Sequence, residues 1–201
     1  MNYLAHSFLS PDKPYVLTGN VVADLIKGSA RKEVDLRFLP GIELHRDIDA
    51  FTDGHPAVTR FKAALHDRFH KYAPVVSDIY MDHFLVLNWS QYSEWEIHDY
   101  IDCIYNKMNS VIDQLPQDAY RRIRNMIEHR WLTVYFTIEG IEEVFSRMNH
   151  KLSDKNILKG GGTWLSERID DFNDIFISFF PELINFVSQS YPIPAFNNRN
   201  V

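Results

Sequence analysis

The chain has 201 residues, 45% of them apolar, and a formal net charge of −6 at neutral pH. That length supplies one domain with a full core and is short for two. The acidic balance argues against a general nucleic-acid binder, no run approaches the roughly 18 apolar residues of a membrane helix, and the single cysteine, Cys103, excludes an intrachain disulfide.

The start, MNYLAHSFLSPDK, has no basic region leading into an apolar one. No signal peptide is expected, and the sparse cysteine suits the cytoplasm. Asn20 to Lys27 predicts a short helix stopped by Gly28. Pro40-Gly41 precedes a helix over Ile42 to Phe51. Gly54-His55-Pro56 is the next break, and Pro56 suits the first turn of a helix over Ala57 to Tyr72. Val58, Phe61, Leu65 and Phe69 share one face of it. Pro74 introduces Val75 to Trp89, and Glu94 to Leu115 carries Ile97, Ile101, Ile104, Met108 and Ile112 at helical spacing. Asp118 to Phe136 and Glu139 to Leu152 follow. After Gly160-Gly161-Gly162, Thr163 opens a last long helix, kinked or split near Pro181. The expectation is an all-α, single-domain bundle of roughly eight helices over residues 1–201, with Trp89, Trp95, Trp131 and Trp164 in the core.

Three segments place acids and histidines at helical spacing. In GNVVADLIKG, Asp24 is a lone carboxylate among apolar residues, where it must be paired, capping or metal-binding. In GIELHRDIDAFTDGHP, His45 and Asp49 are four apart and share a helix face, with Asp53 four further on. Asp47 points elsewhere, and His55 before Pro56 reads equally well as a helix-start residue. In SDIYMDHFLVLNW, Asp78 and Asp82 are again four apart, and His83 sits among core-like Ile79, Phe84 and Leu85. The plain alternatives are an acidic surface helix for the second segment and a carboxylate-held core histidine for the third. Read together, with His6 as a further member, these residues suit a divalent cation held in a bundle core. Metal-ligand candidates are His6, His45, Asp49, Asp78, Asp82 and His83. Asp24 and Asp53 are candidates for proton transfer, and Arg46, ahead of the more doubtful Arg60, for holding a phosphate. The carboxylate-rich balance favours manganese or magnesium over a structural zinc, and such a site suits metal-assisted hydrolysis.

At these same residues the sequence resembles the acyl carrier protein phosphodiesterases. The likeness rests on MNYLAH, GNVVADLIKG, GIELHRDIDAFTD and SDIYMDHFLVLNW, and continues through WLTVYFTIEGIEEVFSRMNHKL and FNDIFISFFPELINFVSQ. The resemblance implies a helical fold related to the HD phosphohydrolases and a requirement for manganese or magnesium. It implies hydrolysis of the phosphodiester joining 4'-phosphopantetheine to a serine of holo acyl carrier protein, giving apo carrier protein and 4'-phosphopantetheine. The match falls on His6, Asp24, His45, Arg46, Asp49, Asp53, Asp78, Asp82 and His83. Two departures stand out. HD enzymes carry a His-Asp pair where this chain has Asp82-His83, and Met148-Asn149-His150-Lys151 replaces a more arginine-rich stretch.

An acidic carrier protein meeting an acidic enzyme needs a local basic patch. Arg121, Arg122, Arg124 and Arg130 form one such run, and Arg31-Lys32 another. Two other functions compete. A phosphohydrolase acting on a nucleotide or another small phosphate ester would use the same residues. A non-catalytic helical binding protein would keep its acids for structure and show no metal dependence.

Overall fold

Four prolines set helix starts. Pro14, Pro40, Pro56 and Pro74 each lie in the first turn of a helix, where a missing N–H costs nothing and the fixed φ favours helical geometry. The computed structural model describes residues 1–26, 28, 33–152 and 156–193. Within them the α-helices are α1 (Tyr3–Phe8), α2 (Pro14–Val22), α3 (Leu39–Gly54), α4 (Pro56–Phe69), α5 (Ala73–Leu87) and α6 (Trp89–Tyr92). There follow α7 (Ile97–Asn109), α8 (Gln117–Glu128), α9 (Ile138–Asn149), α10 (Gly161–Ser166) and α11 (Ile169–Ser188). Short 3₁₀ turns join several of them, and the described residues contain no strand. The all-α expectation is met. The expected number is also met by the longer helices, because α1, α6 and α10 are additions of 6, 4 and 6 residues.

Two boundaries differ from the sequence reading. The helix expected over Asn20 to Lys27 begins earlier and stops at Val22, passing into a 3₁₀ turn at Ala23–Leu25; Lys27 lies outside the described residues. The last long helix breaks at Glu167–Arg168, between α10 and α11, and runs through Pro181 unbroken. Burial of Phe179, Phe180, Leu183 and Ile184 around that proline keeps the helix together despite one lost backbone bond.

Helix α5 is the central element. It packs against α1, α4, α11 and the 3₁₀ turn at Trp131–Phe136, and nearly all of its residues from Val76 to Leu85 are buried. Aromatic side chains fill the space around it. Phe61 meets Phe172 edge-on at 4.9 Å, and Phe176 stacks on Phe180 at 4.7 Å. Trp89 joins this core, but Trp95 is exposed, and Trp131 and Trp164 are half-buried, so the tryptophans divide between core and surface.

Helices α2 and α3 approach more closely than side chains permit. A Cβ on Gly41 would lie 2.0 Å from the Val16 carbonyl oxygen, and one on Gly19 would lie 2.3 Å from that of Phe38. The crossing is therefore backbone against backbone, and it carries the end of α2 up to the middle of α3.

Candidate functional site

On α3, His45 and Asp49 are one turn apart, and His45 Nε2 lies 3.1 Å from an Asp49 carboxylate oxygen. The other oxygen of Asp49 lies 3.3 Å from Nε2 of His6, which α1 delivers from the opposite side. The two imidazoles stack, with centroids 4.1 Å apart and planes inclined by 18°. His6, His45 and Asp49 thus bring one donor atom each to within 4.8 Å of one another. Asp24, in the 3₁₀ turn after α2, stands at the edge, 3.8 Å from His45 Nε2. Both histidines are buried, whereas the Asp49 side chain is 41% exposed, so solvent reaches the cluster from the carboxylate side.

The hydrogen bonds on the far side of each ring fix its chemistry. His45 Nδ1 lies 2.9 Å from the backbone carbonyl of Asn20, which can only accept, so Nδ1 carries the proton. His6 Nδ1 lies 2.8 Å from Asn20 Oδ1. Each Nε2 is buried without a hydrogen-bond partner. Burial pushes the His6 imidazole down, toward its neutral form. A bare imidazole nitrogen and an ionised carboxylate are what cation ligation requires. Buried lone pairs pointing at one carboxylate leave a place for a positive charge, and two nitrogens with one or two oxygens suit manganese, iron or zinc better than magnesium.

The remaining predicted residues fall elsewhere. Asp82 is fully buried on α5, and its carboxylate accepts the backbone N–H groups of Leu4 at 2.8 Å and of Asn2 and Ala5 at 3.2 Å. It therefore caps the amino end of α1, the helix that carries His6, where a negative charge is also favoured by the helix dipole. Burial raises its carboxyl to about 7, although those N–H groups pull the other way. Asp78 meets the Met1 amine at 3.0 Å. His83 donates from Nδ1 to the Tyr135 carbonyl at 2.7 Å, leaving a buried Nε2 outside the cluster. Asp53 pairs with Lys62. Arg46 is exposed on α3 next to His45, and Arg60 is exposed on α4. His55 caps α4, its ring accepting from Ala57 N–H at 3.2 Å. The structure thus unites His6, His45, Asp49 and Asp24 and does not bring Asp53, Asp78, Asp82 or His83 among them.

Asn20 is the residue that sequence reasoning passed over. The available signal was a lone amide in the apolar run YVLTGNVV, but its use depends on α1 and α3 meeting α2. Sequence spacing shows only the partners within one helix.

A groove of about 630 Å³ runs from Asp24 and Asp78 across Val75, Ile79, Val134, Val144 and Met148. Arg122, Arg147 and Lys151 form its basic side. Arg122 lies over the Trp131 ring at 4.6 Å, and Arg147 pairs with Glu143. Of the other arginines in the basic run, Arg121 pairs with Asp118, Arg124 with Glu128 and Arg130 with Asp102. Arg31 and Lys32 lie outside the described residues.

On this helical scaffold two stacked imidazoles and a carboxylate stand beside Asp24, which also lines the half-apolar groove. The sequence matches the acyl carrier protein phosphodiesterase family over residues 1–183, and the chain belongs to that family. It is similar to an acyl carrier protein phosphodiesterase of Pectobacterium atrosepticum, 26% identical over 92% of this chain and 96% of the relative. Relatives of that name in Photorhabdus laumondii (26%, over 92% and 93%) and Escherichia coli (25%, over 94% and 98%) align as completely. No solved structure matches the chain.

Proposed function

We propose that the chain hydrolyses the phosphodiester joining 4'-phosphopantetheine to the serine of holo acyl carrier protein, using a divalent cation held by His6, His45 and Asp49. Family membership supports the reaction. The observation that carries the cation is the convergence of two buried, unpartnered Nε2 atoms on one ionised carboxylate. A cation there supplies Lewis acidity toward a phosphoryl oxygen and lowers the pKa of water. Of manganese and magnesium, manganese fits the mixed nitrogen and oxygen donor set better.

The chain's own residues divide the remaining work. Asp24, 69% exposed at the junction of cluster and groove, is placed to take the proton of the attacking water. Water oxygen bonds to phosphorus, the bond from phosphorus to the serine oxygen breaks, and that oxygen takes up a proton. Arg46 is the guanidinium proposed to meet the phosphate. The pantetheine arm, a slender chain of methylenes and amides, lies along the groove floor, with the carrier protein over the edge formed by Arg122, Arg147 and Lys151. Asp53 has no part in this scheme. We place the activity in the cytoplasm; no helix among the described residues is long and apolar enough to cross a membrane.

The test is to incubate metal-stripped protein with holo acyl carrier protein, adding manganese, magnesium or nothing, and to follow the intact mass of the carrier. Manganese-dependent loss of the arm, absent in folded His45→Ala and Asp49→Ala, is the expected result. A carrier left intact with every metal would defeat the reading. Turnover of small phosphate esters alone would move the substrate to that class.

A further inference from the structure

We infer that Asn20 is the positioning residue of this centre, one buried residue that fixes both imidazoles in the tautomer baring Nε2. The inference rests on the cation site proposed above, and it has a readout that needs no cation.

Asn20 is fully buried in an apolar stretch of α2. Its Nδ2 lies 2.9 Å from the His6 carbonyl oxygen and 2.9 Å from Ser10 Oγ. A carbonyl has no proton to give, so the end of the amide facing it must be the NH₂. Ser10 Oγ itself donates to the same carbonyl at 2.8 Å, which leaves its lone pair for Asn20. The amide has one orientation that satisfies every group. In that orientation Oδ1 faces His6 Nδ1, so that nitrogen carries the proton and Nε2 does not.

The other ring is held by the same residue through its main chain. Asn20 lies in the last turn of α2, where carbonyls lack partners within the helix. The end of α2 at Val22, earlier than its sequence suggests, leaves the Asn20 carbonyl available. The close crossing at Gly19 and Gly41 brings α3 near enough for His45 Nδ1–H to take it at 2.9 Å. Side chain and backbone of one residue thus orient the two nitrogen donors, each from the side opposite the carboxylate. Partners that orient metal-ligating histidines in this way typically govern about 10- to 100-fold in metal affinity.

The two arms of the device can be separated by experiment. Asn20→Ala removes the acceptor for His6 and keeps the carbonyl for His45. Two-bond proton–nitrogen correlation spectra of the metal-free protein should then show His6 losing its Nδ1–H tautomer while His45 retains it. Manganese affinity, measured by titration, should fall about 10- to 100-fold. Asn20→Asp, which keeps an oxygen toward His6, should preserve the tautomer and most of the affinity. Asn20→Leu replaces Asn20→Ala if the void unfolds the protein. The inference is overturned if His6 keeps Nδ1–H in folded Asn20→Ala, or if affinity falls with both tautomers intact, which is what a purely structural role gives. A protein that binds no manganese sinks the cation centre, and the tautomer spectra still judge Asn20.

Discussion

Asp49 and Asp82 each stand close in sequence to a histidine, and both were candidates for the same duty. Asp49 reaches two bare ring nitrogens, whereas Asp82 spends both oxygens on backbone N–H groups of α1. The two alanine variants should therefore fail differently. Asp49→Ala should abolish manganese binding with little change in thermal midpoint. Asp82→Ala leaves buried N–H groups without acceptors and should cost about 3 kcal/mol, read by chemical denaturation, with binding reduced through displacement of His6. Asp82 also predicts a pH effect. Burial pushes its folded carboxyl up to about 7 from an ordinary 3.8, so its stabilising contribution is complete below the lower figure and is lost as pH rises through the upper one. Thermal midpoints of Asp82→Asn should fall less between pH 4 and 7 than those of the unmodified protein; parallel curves would refute the assignment. The His45–Asp49 pair was legible because a helix turn is local. The capping role of Asp82 was not, because its partners lie 77 to 80 residues away.

Among the elements, Pro56 and Pro74 marked helix starts, since their geometry acts within one turn, whereas Pro181 marked no break. Helix ends were harder. The break before α11 follows the short α10, whose amino end is capped from another helix. There Glu142 of α9 accepts the N–H groups of Gly160 at 2.7 Å and Gly162 at 2.8 Å. Tyr80 of α5 adds a bond to the Gly161 carbonyl at 2.6 Å. Glu142→Ala should lower stability by about 1–2 kcal/mol in urea denaturation, with manganese affinity unchanged. A loss of affinity in that variant would show that α10 reaches the centre.

For the molecule as a whole, a cation that binds only the folded state must stabilise it. Manganese at about 100 times its dissociation constant should add about 2.7 kcal/mol, seen as a higher thermal midpoint that chelator reverses. The groove makes a second global prediction, since a chain of net charge −6 must attract an anionic partner locally. Arg122→Glu should raise KM for holo carrier protein about tenfold, an effect of roughly 1.4 kcal/mol, and weaken its salt dependence. Arg121→Glu, which alters an exposed ion pair with Asp118, should not. The all-helical architecture was legible from apolar periodicity along nearly the whole chain. The groove was not, because its walls come from α5, α8, α9 and the turn at Trp131–Phe136.

The contact between Gly19 and Gly41 also limits how the sequence can drift. A crowded pair of side chains can be relieved by trimming one and enlarging its neighbour, so such positions wander together over generations. Glycine has no smaller residue to retreat to, and the atoms it meets here are backbone oxygens common to every sequence. No compensating change elsewhere restores the fit. A library randomised at both positions and selected for activity should return glycine at each, whereas one randomised at Val58 and Phe61 should return several apolar combinations.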